Sequence, residues 1–207
     1  MQRASVTAAI LVLVGGSGRA QEFTHQEIGV FSAVNQLRAR PSAFVRTLEA
    51  FRSLYQGNLF IPPGHVPIQT HEGVKAVDET IGALRPLSNP LERLTLSRGL
   101  SNAAALHVRE TGARGLVGHA GPDGNNAADR IARFGHWSRS IGECISYGDA
   151  DPTGVVAQLL IDDGVRDRGH RVILLDPQWR YVGVSCGAHA VYSGMCVLDF
   201  AVAFTER

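Results

Sequence analysis

Lysine is almost missing from this chain of 207 residues, and neither sign of charge is in excess. Lys75 is the single lysine, and Lys and Arg together number 20 against 19 Asp and Glu. Nucleic-acid-binding domains usually carry a clear basic excess, so we expect no nucleic-acid partner. Beyond the N-terminus the chain also lacks an apolar run of the roughly 20 residues that a membrane-spanning helix needs, so we do not expect an integral membrane protein.

The N-terminal residues follow the order of a secretory signal peptide. Arg3 supplies an early positive charge, residues 8–14 form a short apolar run, and Gly18-Arg19-Ala20 resembles a small-x-small cleavage site. The alternative is a buried first helix or strand, but the order of these features favours export. We therefore expect residues 1–20 to be removed and the mature protein to be secreted, extracellular or periplasmic.

The chain has only three cysteines, of which two are placed to form a disulfide and one is not. Cys186 and Cys196 flank a segment that is typical of a hairpin loop, so both can lie on one face of paired strands and form a disulfide. Export would place such a bond where disulfides persist. Cys144 is left over: it is either a small buried residue or a nucleophile, and only the neighbouring Glu143 hints at activation.

Helical patterns come first along the chain and alternating patterns come last. Apolar residues recur at helical spacing within residues 24–55, 74–84 and 98–108, and Asp151-Pro152 predicts the start of a further helix. Residues 57–70 are rich in proline and predict an irregular loop, and Gly135 and Gly142 predict a turn before Glu143. Residues 179–187 and 195–204 alternate as strands do. This order predicts an α+β fold rather than a parallel sheet with crossover helices.

Five polar residues stand in surroundings that do not suit simple solvation: His119, Glu143, Asp162, Asp163 and His170. His119 lies among small residues, and Glu143 lies in a mostly apolar stretch where a carboxylate needs a partner. Each also has an ordinary structural explanation, such as a hydrogen-bonded histidine, a carboxylate that caps backbone amides or an exposed basic turn. Periodicity alone does not bring them together.

Helical spacing distinguishes the two neighbouring aspartates. Asp163 lies seven residues after Val156 and eight after Val155, so on a continuing helix it falls near the middle of the apolar stripe. Asp162 falls nearer the edge of that stripe. The spacing therefore favours Asp163 as the residue that points inward.

An ordered set of motifs resembles the CAP superfamily of cysteine-rich secretory, venom-allergen and pathogenesis-related proteins, in its bacterial SCP-like extracellular branch. The motifs are Gly118-His119, Gly142-Glu143, Asp162-Asp163-Gly164 and Arg168-Gly169-His170-Arg171. The tail also fits, with Val182-Gly183-Val184, His189, Tyr192 and Cys196-Val197-Leu198-Asp199-Phe200-Ala201. The resemblance places the domain core at residues 94–207, with residues 21–93 as a helical region and proline-rich loop that belongs to the domain or packs on it.

The resemblance implies a three-layer α-β-α sandwich around a small antiparallel sheet, with a cavity formed by two histidines and two acids. By position these are His119, Glu143, His170 and an aspartate aligned with Asp163, where the family usually has glutamate. A second departure is Cys144, which replaces the usual asparagine. Two imidazoles and two carboxylates suit a divalent cation, zinc above all, with His119 and His170 as the metal ligands.

Three functions are compatible with these residues. The first is a secreted binding module for a small apolar ligand, such as a sterol or fatty acid, or for an extracellular partner, with a cation in the cavity. The second is a metal-dependent hydrolase, protease-like, with Glu143 as the candidate general base. The third is an exported structural domain in which the polar cluster only specifies the fold. A shared fold does not decide between them.

Overall fold

The computed structural model describes residues 22–207, so the expected signal peptide at residues 1–20 lies outside the described residues. The helices are α1 (His25–Ala39), α2 (Val45–Arg52), α3 (Val74–Leu84), α4 (Arg98–Thr111), α5 (Ala127–Ala132), α6 (Pro152–Ile161) and α7 (Gly169–Leu175), with 3-10 turns at Pro41–Phe44 and Gly112–Arg114. The strands are β1 (Tyr55–Gln56), β2 (Leu59–Phe60), β3 (Ile68–Gln69), β4 (Thr95–Leu96), β5 (Gly135–Tyr147), β6 (Tyr181–His189) and β7 (Ser193–Glu206). Within this part of the chain, no helix is long and apolar enough to cross a membrane.

The larger sheet has the strand order β4-β6-β7-β5. Its three long strands are antiparallel, and the short β4 runs parallel to β6. The register between β6 and β7 places Cys186 opposite Cys196, and the expected disulfide is formed there. In this sheet β5 is the outer strand beside β7, so its free edge is available to build a site.

Helices cover both faces of this sheet, which confirms the α+β class and the three-layer sandwich. Along β7, Cys196, Leu198 and Phe200 pack into the core formed with α1, α2, α3, α6 and α7. Alternate residues point the other way: Val197 packs under α4, and Ala201 packs with residues of α4 and α5. Burying a large apolar side chain stabilises the fold by about 1.5–3 kcal/mol, so two buried faces explain why β7 is apolar along nearly its whole length.

The N-terminal helices share their core with the rest of the chain. Val34 of α1, Leu48 of α2 and Leu84 of α3 are fully buried, and they lie in the same cluster as Leu160 of α6 and Leu198 of β7. Residues 22–93 therefore supply three of the helices of one layer, which α6 and α7 complete.

Two segments differ from the sequence-based expectation. The proline-rich loop of residues 57–70 contains β2 and β3, which pair with β1 in a small antiparallel sheet. The turn expected between Gly135 and Gly142 is instead part of the 13-residue strand β5, whose register against β7 shifts between Ser138 and Ile141. Arg139, at this irregularity, has a φ of 74°. A bulge of this kind bends the strand locally. The glycines that flank it therefore resemble those of a turn in the sequence.

Helix α6 starts where the sequence predicts, and the position of its end decides how Asp162 and Asp163 are oriented. Asp151 is the N-cap and accepts from the Gly154 amide at 2.6 Å, with Pro152 as the first helical residue. The helix stops at Ile161 because Asp162 adopts a left-handed conformation, with φ 53° and ψ 45°. Helical spacing therefore does not extend to residues 162 and 163.

Candidate functional site

The first half of the site is a pair formed by His119 and Glu143. Glu143 projects from β5, and His119 lies on the loop that follows α4. The imidazole Nδ1 of His119 donates to Glu143 Oε1 at 2.8 Å, and the histidine side chain is 57% exposed against 4% for the glutamate. The loop is held in place because the Gly118 amide donates to the Tyr147 hydroxyl at 2.8 Å. This pair thus joins a buried acid to a solvent-facing imidazole.

Arg130 of α5 neutralises the buried end of the pair. Its guanidinium donates to Glu143 Oε2 at 2.6 Å and to the His119 carbonyl at 3.1 Å. Burial acts to raise the pKa of the Glu143 carboxyl, but the His119 hydrogen bond and the Arg130 charge together hold that pKa below its ordinary value. Glu143 is therefore an anion with both oxygens engaged.

A second carboxyl, Asp199, lies behind Glu143 on the adjacent strand. The two residues are opposite each other in the β5–β7 register, and Asp199 is fully buried. Burial and the charge of Glu143 raise the pKa of Asp199 well above its ordinary value. Neither oxygen of Asp199, nor Arg130 Nε, nor His107 Nδ1 has a hydrogen-bonding partner within residues 22–207. The interior beside Glu143 is thus rich in polar atoms that are not all satisfied.

The second half of the site is a pair formed by His170 and Asp162. The imidazole Nδ1 of His170 donates to Asp162 Oδ1 at 2.6 Å, and the His170 backbone amide donates to Oδ2 at 2.9 Å. Asp162 is buried, with 2% of its side chain exposed, whereas His170 is 22% exposed. Asp162, and not the expected Asp163, is thus the acid that meets the second histidine. The helical argument was wrong here because α6 ends at Ile161.

Asp163 makes no bond to either histidine; it binds the backbone of residues 71–73, just after the small sheet. Its Oδ2 accepts from the His71 amide at 2.6 Å, and its Oδ1 accepts from the amides of Glu72 and Gly73 at 2.7 and 3.1 Å. The Arg168 guanidinium adds a bond to Glu72 at 2.6 Å. The loop after α6 is therefore joined to the chain that precedes α3.

The two histidine–acid pairs lie side by side, and we call the space between the two imidazoles the cleft. The ring centroids of His119 and His170 are 6.3 Å apart. Each Nδ1 donates to a carboxylate, so in the neutral imidazole each Nε2 carries the lone pair, and within the described residues neither Nε2 has a partner. The structure thus brings His119, Glu143, Asp162 and His170 together, with two unpartnered imidazole nitrogens.

The fit of a metal ion to this cleft is partial. Within residues 22–207, no group of three or more His, Cys, Asp and Glu side chains is placed to hold a metal. The carboxylates of Glu143 and Asp162 bind the histidines rather than stand beside them as ligands. Carboxylates that orient metal-binding imidazoles in this way are common around zinc. The donor set suits a cation held by His119 and His170, with its remaining positions taken by water or a ligand.

Cys144 lies away from the cleft. It is fully buried, and its Sγ contacts the His170 carbonyl at 3.9 Å. Burial, with smaller contributions from the charges of Asp162 and Glu143, raises the pKa of the thiol well above its ordinary value. This is the environment of an inert structural cysteine rather than of a nucleophile.

A cavity of about 310 Å³ lies beside His170. The residues lining it come from α2, the small sheet, β5, α6, the loop after α6 and α7, and they include Phe51, Tyr55, Phe60, Leu159 and Asp162. Sequence analysis assigned no role to the segment that supplies its wall.

Sequence analysis missed Arg130, Asp199 and His107 as members of the site. Arg130 occurs in a short amphipathic stretch where an arginine is normally exposed. The two others carried a signal, since Asp199 interrupts an apolar strand and His107 lies on the buried face of α4. A polar residue on an apolar face signals an interaction in the interior, and here both residues interact with the charge of Glu143.

A three-layer sandwich with two histidine–acid pairs beside its edge strand is the architecture that the sequence motifs led us to expect. The family model for CAP, the cysteine-rich secretory protein family, matches residues 31–200. The chain therefore belongs to this family.

Solved structures similar to this chain come from bacteria. An extracellular protein of Bacillus anthracis that contains an SCP domain is 20% identical with a TM-score of 0.43, over 62% of this chain and 37% of that one. An outer surface protein of Borrelia burgdorferi is 16% identical with a TM-score of 0.44, over 56% of this chain and 80% of that one. A cysteine-rich secretory protein of Staphylococcus aureus is 13% identical with a TM-score of 0.45, over 86% of this chain and 39% of that one.

The match thus spans little more than a third of the Bacillus anthracis protein. None of the curated proteins compared with the chain matches it.

Proposed function

We propose that this protein is an extracellular binding module whose cleft takes a divalent cation at His119 and His170. The observation that carries the proposal is the pairing of the two imidazoles, whose rings are 6.3 Å apart and whose Nδ1 atoms are both held by carboxylates. Such bonds fix the tautomer and direct Nε2 outward, which is how metal-binding histidines are usually prepared. Zinc accepts imidazole nitrogen readily, and it is the first cation to test.

The engagement of Glu143 favours binding over hydrolysis. A metal-dependent hydrolase would need Glu143 to take a proton from water, but both of its oxygens already accept hydrogen bonds, from His119 and Arg130. Its lowered pKa also makes it a weaker base. Hydrolysis therefore ranks second as a function of this cleft.

A purely structural role is less well supported than binding. A polar cluster that only specifies a fold is expected to satisfy its own members. Here Arg130 Nε and His107 Nδ1 lack partners within residues 22–207, and the Nε2 atoms of the two cleft histidines bond to no described residue. These atoms leave hydrogen-bonding capacity for something that the chain itself does not provide.

The cavity next to His170 supports a small, largely apolar ligand as a second occupant of the module. It is lined mostly by aromatic and aliphatic side chains, and its volume of about 310 Å³ lies in the range of small-molecule sites. The export proposed from the N-terminus agrees with the Cys186–Cys196 disulfide, because disulfides persist outside the reducing cytosol.

Calorimetric titration with zinc tests the cation site. We expect saturable binding by the wild type and its loss in the His119→Ala/His170→Ala double variant. The matched control is His65→Ala/His136→Ala, which removes two exposed histidines outside the cleft. Absence of zinc binding by the wild type, or equal binding by the cleft variant, would overturn the proposal. Zinc-dependent cleavage of a peptide or ester panel would move the assignment to a hydrolase.

A further inference from the structure

Three aromatic side chains line one side of the cavity next to His170. They are Phe51 at the end of α2, Tyr55 of β1 and Phe60 of β2. The rings of Phe51 and Phe60 are stacked with centroids 6.0 Å apart, and those of Tyr55 and Phe60 are 5.0 Å apart. The end of α2 and the first two strands of the small sheet thus provide an aromatic wall, of which only Phe60 lies in the predicted loop of residues 57–70.

The aromatic wall is fastened to the cleft by specific bonds. Asp163 accepts from three consecutive backbone amides just after the small sheet, and Arg168 bridges Glu72 and Glu79 at 2.6 Å each. Several hydrogen bonds therefore hold the wall and the loop of His170 in one arrangement. A cavity built in this way needs little reorganisation to accept a ligand.

The charge of this cavity is negative. Asp162 and Asp163 are among the described residues that line it, whereas none of those residues is Lys or Arg. Arg168 and Arg171, the nearby cations, form ion pairs with Glu79 outside the lining. Burial and the charge of Asp163 raise the pKa of Tyr55 to about 12, so its hydroxyl stays neutral. The cavity therefore opposes an anionic head group such as a carboxylate.

The remaining polar feature of the cavity is an acceptor. His170 lines it, and because its Nδ1 donates to Asp162, the Nε2 of the neutral imidazole is the atom left to accept a hydrogen bond. Aromatic rings, carboxylates that pair with no Lys or Arg, and a hydrogen-bond acceptor are the groups that recognise an ammonium ion.

We propose that this aromatic cavity binds a small organic ammonium ion, with its apolar body against Phe51, Tyr55 and Phe60 and its charged head towards His170 and Asp162. The inference rests on the proposed binding role of the cleft, but not on the metal. A divalent cation on the two histidines would repel the ammonium head, so each occupant is expected to weaken the binding of the other. A free fatty acid, which carries the opposite charge, is disfavoured in this cavity.

Three probes of the same chain length isolate the contribution of charge. Metal-free wild-type protein in a chelating buffer is titrated with n-hexylammonium, n-hexanol and n-hexanoate, and binding is followed by calorimetry or NMR. We expect hexylammonium to bind, hexanol to bind about tenfold more weakly because it lacks the charge, and hexanoate to show no saturable binding. Equal or tighter binding of hexanol or hexanoate, or no binding of hexylammonium, would overturn the proposal.

A matched pair of substitutions tests the location. Phe60→Leu removes one ring of the wall, and Phe31→Leu makes the same change in the main core outside the cavity. We expect Phe60→Leu to weaken hexylammonium binding about fivefold while Phe31→Leu leaves it unchanged. Equal effects of the two substitutions would contradict the assignment. The hexylammonium titration uses metal-free protein, so its result does not depend on zinc binding. Either proposal can therefore fail without the other.

Discussion

Arg130 and Glu143 form an ion pair of 2.6 Å in which both side chains are shielded from solvent, with 0% and 4% exposed. A buried charge is tolerable when it is paired, and removal of one partner leaves the other without compensation. The pair also fixes the position of His119, because Glu143 holds its ring and Arg130 holds its carbonyl. The order of the first half of the cleft thus depends on one arginine of α5.

Arg130→Met is expected to lower the free energy of unfolding by about 3–5 kcal/mol, since it leaves the Glu143 carboxylate buried and unpaired. The control is Arg52→Met, whose ion pair with Asp78 is about half exposed and which we expect to cost less than about 1 kcal/mol. Denaturant unfolding of both variants gives the comparison. A loss for Arg130→Met no larger than that for Arg52→Met would show that the buried pair does not stabilise the fold.

Asp199→Asn tests whether the Asp199 carboxyl is protonated in the folded protein. Its folded pKa is raised by burial and by Glu143, so its contribution to stability is complete below the unfolded pKa of about 4 and is lost as the pH rises towards the folded pKa. The wild type should therefore lose stability relative to Asp199→Asn as the pH rises above the unfolded pKa of about 4, by up to about 1.4 kcal/mol per pH unit.

The control for this titration is Asp167→Asn, which removes an exposed carboxyl and is expected to follow the wild type. Denaturant unfolding at a series of pH values provides the measurement. Parallel curves for Asp199→Asn and the wild type would mean that Asp199 does not change its proton occupancy on folding.

Asp162 and Asp163 are adjacent in sequence and are expected to differ in function. Asp162→Asn removes the charge that holds His170 Nδ1, and zinc affinity should fall about 10- to 100-fold, as for other residues that orient metal-binding histidines. Asp163 makes no bond to either cleft histidine, so the zinc affinity of Asp163→Asn should stay within about twofold of the wild-type value. The Asp163→Asn substitution should instead speed cleavage by chymotrypsin within residues 55–70, because it replaces one of the two oxygens that accept from the amides of residues 71–73. Calorimetry and limited proteolysis separate the two outcomes, and equal zinc affinities would remove Asp162 from the site.

These two aspartates also show where sequence reasoning reaches its limit. The family, the sandwich, the disulfide and three of the four cleft residues are predicted by motifs and patterns, because these depend on local spacing. The choice between Asp162 and Asp163 depends on one left-handed residue at the end of α6, and helical periodicity does not contain that information. Arg130 is similar, since its burial arises only when α5 packs over β5.

Reaction of the thiols with Ellman's reagent tests both cysteine assignments in one experiment. Cys144 is fully buried, and burial raises its pKa, so the native protein should react only as fast as it unfolds. In denaturant without reductant we expect one reactive thiol per chain, because Cys186 and Cys196 are joined. Prior reduction serves as the control and should release the other two. Fast reaction of the native protein would restore the nucleophile hypothesis for Cys144.

The disulfide joins residues ten positions apart on neighbouring strands, so it closes a short loop in the unfolded chain. Chain-entropy arguments put its stabilisation at about 3 kcal/mol for a loop of this size. Cys186→Ala/Cys196→Ala should lose that amount in denaturant unfolding, and reduction of the wild type should reproduce the loss. The variant itself should not respond to reductant, which controls for effects of the reagent. A variant as stable as the oxidised wild type would mean that the pairing of β6 with β7, buried on both faces, already restricts this hairpin without the covalent bond.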